Sequence, residues 1–425
     1  GLLSLLGLEN LDETTAKVLV QWKGGNLYLN GVQKVNEATA KAFAQWTGDA
    51  LYLNGVKQID EAIAKAFAQW TGSCLELNGV QQIDEATAKA LSQFQGSLYF
   101  KGLQELDERR AKAFAQFKGE CLRLNGLHQI DETTAKALAQ FNGKHLDLDG
   151  LQQIDEATTK ALVQFKGSSL WLDGIQQIDE ATAKALVQWK GVWLFLNGLQ
   201  EIDEATAKAF AQWTGSCLYL NGLQQIDEAT AKALVQWKGS FLELNGVKQL
   251  NTATAKAFAQ FNGDSLKLNG LQQIDEGTAK IFAQREGSTI SIELNGVKQI
   301  DEGTAKALAQ WTGNELKLNG VQQLNIETTK SLIQWQGGIL YLNGLQQIDE
   351  AIAKALAQFK GHVLYLNRVQ QLDEATAKAL SQWEGRNLFL IGLQQIDEGT
   401  AKALSQIKGK IHATEKILEQ INKLK

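Results

Sequence analysis

The chain has 425 residues, 44% of them hydrophobic, and its 42 basic and 47 acidic side chains leave a net charge of −5. With both signs interspersed, that balance points away from nucleic acid and from an anionic membrane surface as partners. No apolar run approaches the ~18 residues of a membrane span.

Proline and methionine are both absent. Average usage would give ~5% proline, so its loss suggests that most backbone N–H groups are needed in ladders and helices. A chain without methionine does not begin at an initiator residue. We expect a processed, engineered or partial chain, with an extracellular or cell-surface setting.

In chain order, the first segment reads GLLSLLGLENLDE and places Leu2, Leu3, Leu5 and Leu6 close together. From residue 27 the sequence then states nearly the same thing repeatedly, first as LYLNGVQKVNEATAKAFAQWTG. Aligned on the Asn-Gly step, seventeen copies recur with a period of 24 residues. Repetition at this period marks a solenoid, in which no single copy can bury its apolar face alone.

Each copy opens with leucines at period two, as in Leu51-Tyr52-Leu53, which predicts a short strand with one buried face. A helix follows. Asp60 is a good N-cap, Glu61 adds favourable charge to the first turn, and Gly72 is the expected left-handed residue past the end. Ala64, Phe67 and Trp70 fall on one stripe, while Lys65 points away and pairs with Glu61 at i,i+4.

Two copies break the period. The one before Gly102 is a residue short, and the one before Gly296 is two residues longer and carries Arg285 at the aromatic position. We expect a bulge or altered curvature around residues 285–292. The last segment, Lys410–Lys425, sets Ile417, Leu418, Ile421 and Leu424 on one helical stripe and is read as a capping helix over a solenoid of residues 1–409.

The motif L-x-L-N-G-[LV]-x-x-[IL] resembles the leucine-rich-repeat class over about residues 3–409. The resemblance implies an α/β fold: a curved right-handed solenoid with a parallel sheet on the concave side and helices on the convex side. Asn30 and Asn54 follow the strand leucine earlier than the family's usual asparagine, so loop geometry does not carry over. A competing reading takes Asn-Gly as a hairpin turn and gives an array of ββα units.

Stacking turns each consensus position into a column. The Asp column (Asp12, Asp60, Asp84, Asp131) could suggest calcium, but helix capping accounts for these residues without a metal. The Asn column reads as an amide ladder that fails at Leu6, Lys101 and Ile391. Cys74, Cys121 and Cys217 sit on separate rungs. Two rungs at ~4.8 Å each already exceed disulfide reach. The four histidines have no regular partner, and no zinc spacing, nucleophile elbow or phosphate loop occurs. No catalytic residue, metal or cofactor is assigned, and an enzyme is not expected.

The residue between the strand leucines should point out of the sheet. That column contains Tyr28, Tyr52, Tyr99, Trp171, Phe195, Tyr219, Tyr341, Tyr365 and Phe389, and it holds all six tyrosines of the chain. It also alternates charges at Arg123/Asp147 and Glu243/Lys267/Glu293/Lys317. Sheet stabilisation by cross-strand pairs explains the pairing, whereas clustered aromatics also suit a contact surface. Two functions follow. The first is structural: end-to-end assembly into a filament or surface layer, driven by Leu2, Leu3, Leu5 and Leu6 in the first repeat and by Ile391 with the Ile417, Leu418, Ile421 and Leu424 stripe at the other end. The second is a recognition scaffold using the aromatic column, with a protein partner ahead of a glycan.

Overall fold

The computed structural model describes residues 1–284 and 291–424. The chain divides into two compact units, Gly1–Tyr219 and Leu220–Lys425. The first begins with β1 (Leu2–Ser4) and α1 (Glu13–Leu19) and ends on β10 (Cys217–Tyr219). The second begins with α10 (Glu228–Leu234) and β11 (Phe241–Glu243) and ends on β18 (Lys410–His412) and α18 (Glu415–Asn422).

Within each unit every described strand is three residues long and pairs in parallel with the strand one copy away, in most copies leucine beside leucine. Leu27 faces Leu51 and Leu51 faces Leu75 in the first unit. Leu340 faces Leu364 and Leu364 faces Leu388 in the second. The shortened copy keeps this register, with Leu75 facing Leu98, because the missing residue lies in the connection ahead of the strand. Parallel pairing one copy apart rules out the hairpin reading of Asn-Gly. The step instead closes a turn, with Val32 N–H donating to Leu29 O at 3.0 Å, and sends the chain on toward the helix.

Glycine is needed in that turn because the preceding copy's backbone passes so close. A Cβ on Gly31 would lie 2.1 Å from Leu6 O, and one on Gly55 would lie 2.4 Å from Asn30 O. Gly72 corrects the sequence reading. Its backbone is not left-handed; the indole of Trp70 packs over it so closely that a Cβ would meet the ring at 2.0 Å.

The helices are as short as their caps dictate. In α3 (Glu61–Phe67), Asp60 Oδ1 accepts from Ile63 N–H at 2.9 Å, and Lys65 Nζ reaches Glu61 Oε1 at 2.6 Å on the solvent side. The chain then tightens, Trp70 N–H donating to Phe67 O at 3.0 Å, which swings Trp70 inward. Leu51, Leu53, Ala64, Phe67 and Trp70 are all buried, so each core lies between the sheet and the helices.

The bulge expected around residues 285–292 falls mainly outside the described residues. At the far end, the segment read as a capping helix also contributes a strand. Ile411 is buried and faces Leu388, as a strand leucine would, before α18 buries Ile417 and Ile421.

Candidate recognition surface on the sheet

Because strand residues alternate in direction, burying the two leucines of each strand sends the residue between them outward. Parallel register places the outward residues of successive copies side by side. Tyr28 and Tyr52 stack with centroids 4.0 Å apart and planes within 6°. In the same unit Trp171 stacks on Phe195 at 4.8 Å and Phe195 on Tyr219 at 4.2 Å. In the second unit Tyr341, Tyr365 and Phe389 stack at 4.3 and 4.2 Å, and His412 extends the run at 4.1 Å from Phe389.

These rings are half-buried, since each covers its neighbour's face and turns its edge to solvent. The column therefore presents ring edges and phenol hydroxyls rather than open aromatic faces. Tyr99 stands outside the runs. The Arg123 guanidinium lies 4.7 Å from the Tyr99 ring and 5.9 Å from that of Trp171.

The charged positions pair as the alternation implied. Lys267 Nζ meets Glu243 Oε1 at 2.6 Å, and Lys317 Nζ meets Glu293 Oε1 at 3.0 Å and Glu315 Oε2 at 3.3 Å. Partial burial pushes the Glu293 carboxyl up, but hydrogen bonds from Asn269 and Lys317 outweigh it and hold it below its ordinary value. Burial, reinforced by Glu315, lifts the Tyr341 hydroxyl to about 12.

Beneath this face runs the amide ladder. Asn30 Oδ1 accepts from Asn54 N–H at 3.2 Å, and Asn54 Oδ1 from Asn78 N–H at 3.2 Å. Asn319, Asn343 and Asn367 repeat the pattern in the second unit. Ladder amides also reach up to face carboxylates, as when Asn54 and Asn78 Nδ2 both donate to Glu76 Oε2 at 3.0 Å.

A second outward column escaped the sequence reading. Period two also turns out the residue ahead of each first leucine, and there Trp193 (36% exposed) and Phe241 (42% exposed) stand among small and polar residues. The same column holds His145, whose Nδ1 lies 2.9 Å from Ser169 Oγ. Ser169 is buried, so the pair fastens two strands and offers no accessible nucleophile.

The residues assigned to assembly are scattered in burial. Leu2 and Leu6 are 58% and 60% exposed, Leu3 and Leu5 half-buried. In the second unit Ile391 is 52% exposed and Leu424 exposed, Leu418 is half-buried, and Ile417 and Ile421 are buried. The capping aspartates each spend an oxygen on a backbone N–H, as Asp84 does for Thr87 at 2.7 Å. No cluster of three or more His, Cys, Asp or Glu placed to hold a metal ion occurs among the described residues. No helix among them is long and apolar enough to cross a membrane.

No protein-family model matches the sequence, and no curated protein matches it. Solved structures do. The mouse RP105/MD-1 complex is similar at 14% identity and a TM-score of 0.54, over 95% of this chain and 76% of that one. The TLR13–ssRNA13 complex gives 16% identity and 0.48, over 94% and 65% of the two chains. The Drosophila Toll–Spatzle complex gives 14% and 0.49, over 84% and 49%. This chain thus spans 65% of the TLR13 chain and 49% of the Toll chain. At such identities the likeness speaks to fold alone, and it rests on the RP105/MD-1 match. Taken with the parallel strand–turn–helix copies, it makes the fold a leucine-rich-repeat-type solenoid.

Proposed function

We propose that the chain is a non-enzymatic recognition scaffold that binds a protein partner across the outward face of its sheet. The observation that carries this reading is the set of stacked aromatic runs on that face, above all Trp171/Phe195/Tyr219 with Trp193 beside them. Sheet stability alone does not require Trp193 to stand exposed. Tyrosine and tryptophan are favoured interface anchors because they bring large area with few rotors. The ring geometry favours protein over glycan, since a stacking sugar needs an open ring face and these faces are covered by neighbouring rings. That RP105 is solved as a complex with MD-1 fits a binding role.

The test is a side-by-side affinity enrichment with the chain and its Trp171→Ala/Phe195→Ala/Tyr219→Ala variant, after circular dichroism shows the variant folded. A partner held by the first and lost from the second supports recognition. Identical retention by both would sink it.

A second reading, assembly through the β1 edge, is favoured by one observation. At Trp46, Trp70, Trp189, Trp213, Trp335 and Trp383 the indole N–H donates to the copy before, whereas Trp22 Nε1 is buried without a partner, in a first copy that also exposes Leu2, Leu6 and Val18. A packed neighbour offering a backbone carbonyl would satisfy it, and another copy of this chain stacking head to tail is the occupant proposed. Concentration-independent monomers by light scattering would refute it.

A further inference from the structure

We propose that Asp147 and Asp149 hold one proton between them, the Asp149 carboxyl donating to Asp147 where other copies use an asparagine amide. This concerns a device inside the sheet and stands whether or not the face binds a partner.

The argument starts from the amide ladder. In two other copies the ladder residue donates to the carboxylate two positions before it: Asn78 Nδ2 to Glu76 Oε2 at 3.0 Å, and Asn245 Nδ2 to Glu243 Oε2 at 3.4 Å. Asp147 and Asp149 occupy those same two positions, but Asp149 has no amide to offer. Only as a neutral acid can it make the bond that asparagine makes. The two carboxyls are within hydrogen-bonding reach of each other.

The other bonds decide which residue keeps the proton. Asp147 is served as an anion: its Oδ2 accepts from Asn125 Nδ2 at 3.2 Å and is ion-paired, without a hydrogen bond, to Arg123 Nε at 3.4 Å, and its Oδ1 accepts from Asp149 N–H at 3.1 Å. Asp149 receives one backbone donor, Asp173 N–H at 2.9 Å. Turning Asp149 N–H toward Asp147 also leaves Asn125 Oδ1 buried without the donor that its counterparts have. The ladder has been rebuilt at this copy around the acid pair.

The charged groups facing Asp149 are Asp147 in its own copy, Asp173 in the copy after, and, through Asp147, Arg123 in the copy before. Three carboxyls against one guanidinium disfavour a second ionisation in a half-buried site. Burial, with the Asp147 charge, pushes the Asp149 carboxyl up to about 7. Because Asp147 lies in register with Trp171, passing through neutral pH would set a second negative charge one strand from the longest aromatic run of the first unit.

The sign of the stability effect follows. Asp149 keeps its proton in the folded chain above the 3.8 of a free side chain. The unfolded chain therefore binds fewer protons across that interval, and stability falls as pH rises from about 4 to about 7 before levelling off. Asp149→Asn supplies the missing amide and should fold.

The experiment is a carboxyl NMR titration of the full chain carrying carbon-13-labelled aspartate, with thermal melting against pH in parallel. One aspartate should titrate near neutrality, vanish in Asp149→Asn, and fall toward the ordinary range in Asp147→Asn. Melting temperature should decline across this interval in the unaltered chain and flatten in Asp149→Asn. A full set of aspartates titrating in the ordinary range, a near-neutral signal surviving Asp149→Asn, or one unmoved by Asp147→Asn would each overturn the proposal. So would parallel melting profiles of the unaltered chain and Asp149→Asn.

Discussion

The indole N–H of Trp70 donates to the backbone carbonyl of Trp46, one copy earlier, at 2.9 Å, and the two rings stack with centroids 5.6 Å apart. One side chain thus fills the core and ties adjacent copies together. The two contributions can be separated. Trp70→Phe keeps most of the stack and loses the bond, at a cost of ~1 kcal/mol. Trp70→Ala also opens a cavity and costs ~3–5 kcal/mol. Denaturant unfolding of both variants checks this, and equal costs would contradict it. Phe94, which stacks on Trp70 at 5.8 Å, shows that the position accepts phenylalanine.

The helix caps set the response to acid. Hydrogen bonding from Thr87 holds the Asp84 carboxyl below its ordinary 3.8, and Asp131 is held down in the same way by Thr134. A lowered folded value means stability that is present above the unfolded value and lost as pH falls below it. Asp84→Ala should cost ~1 kcal/mol at neutral pH and little in strong acid. Asp84→Asn should keep the cap without its acid dependence, as Asn36 does for Thr39 at 2.9 Å. Melting temperatures across the acid range would show both.

Much of this was legible in the sequence, for identifiable reasons. The strand leucines, the capping aspartates and the aromatic column are fixed by periodicity within one copy, and the structure places them so. What crosses from one copy to the next was less legible. The Trp70–Trp46 bond requires knowing that an indole reaches one strand spacing sideways, which no local pattern encodes. A glycine after a helix reads as a left-handed cap because that is its commonest use there, whereas at Gly72 an indole occupies the space. Trp193 lies one position ahead of the leucine pair, at the same parity as the residue between them. Asp149 stands where most copies have asparagine. Its meaning depends on Asp147, and only the folded turn brings the two carboxyls together.

Tyr99 and Tyr341 of the outward column should resist ionisation. Burial lifts Tyr99 and Tyr341 to about 12 each, above the ordinary 10.0 of the free side chain. An acid whose folded value is raised withdraws stability as pH climbs through the interval between the two values. Phenolate absorbance during an alkaline titration should therefore lag that of the unfolded chain, and unfolding should begin within that interval. Titration of all six tyrosines at the free value would contradict this.

The thiols should be slow nucleophiles. Burial, then the Glu76 charge, pushes Cys74 up to about 12, and burial raises Cys121, so little thiolate is present at neutral pH. Cys217 is buried as well. Alkylation of the native chain should be slow at all three and should accelerate sharply in denaturant. Rapid native labelling of Cys121 would mean that its strand opens readily.

The indole bond and the ladder bond share a direction. Trp70 reaches back to Trp46, and Asn78 N–H reaches back to Asn54; each spans one period of 24 residues. Any whole unit duplicated within the coding sequence would meet its neighbours through the junction already in use, and a whole unit lost would leave the flanking ones equally well matched. Unequal exchange between near-identical stretches could therefore lengthen or shorten such a gene without passing through an unfolded product. A slip of one codon is tolerated in the connection ahead of a strand, which is where the short copy before Gly102 has lost its residue and kept its register.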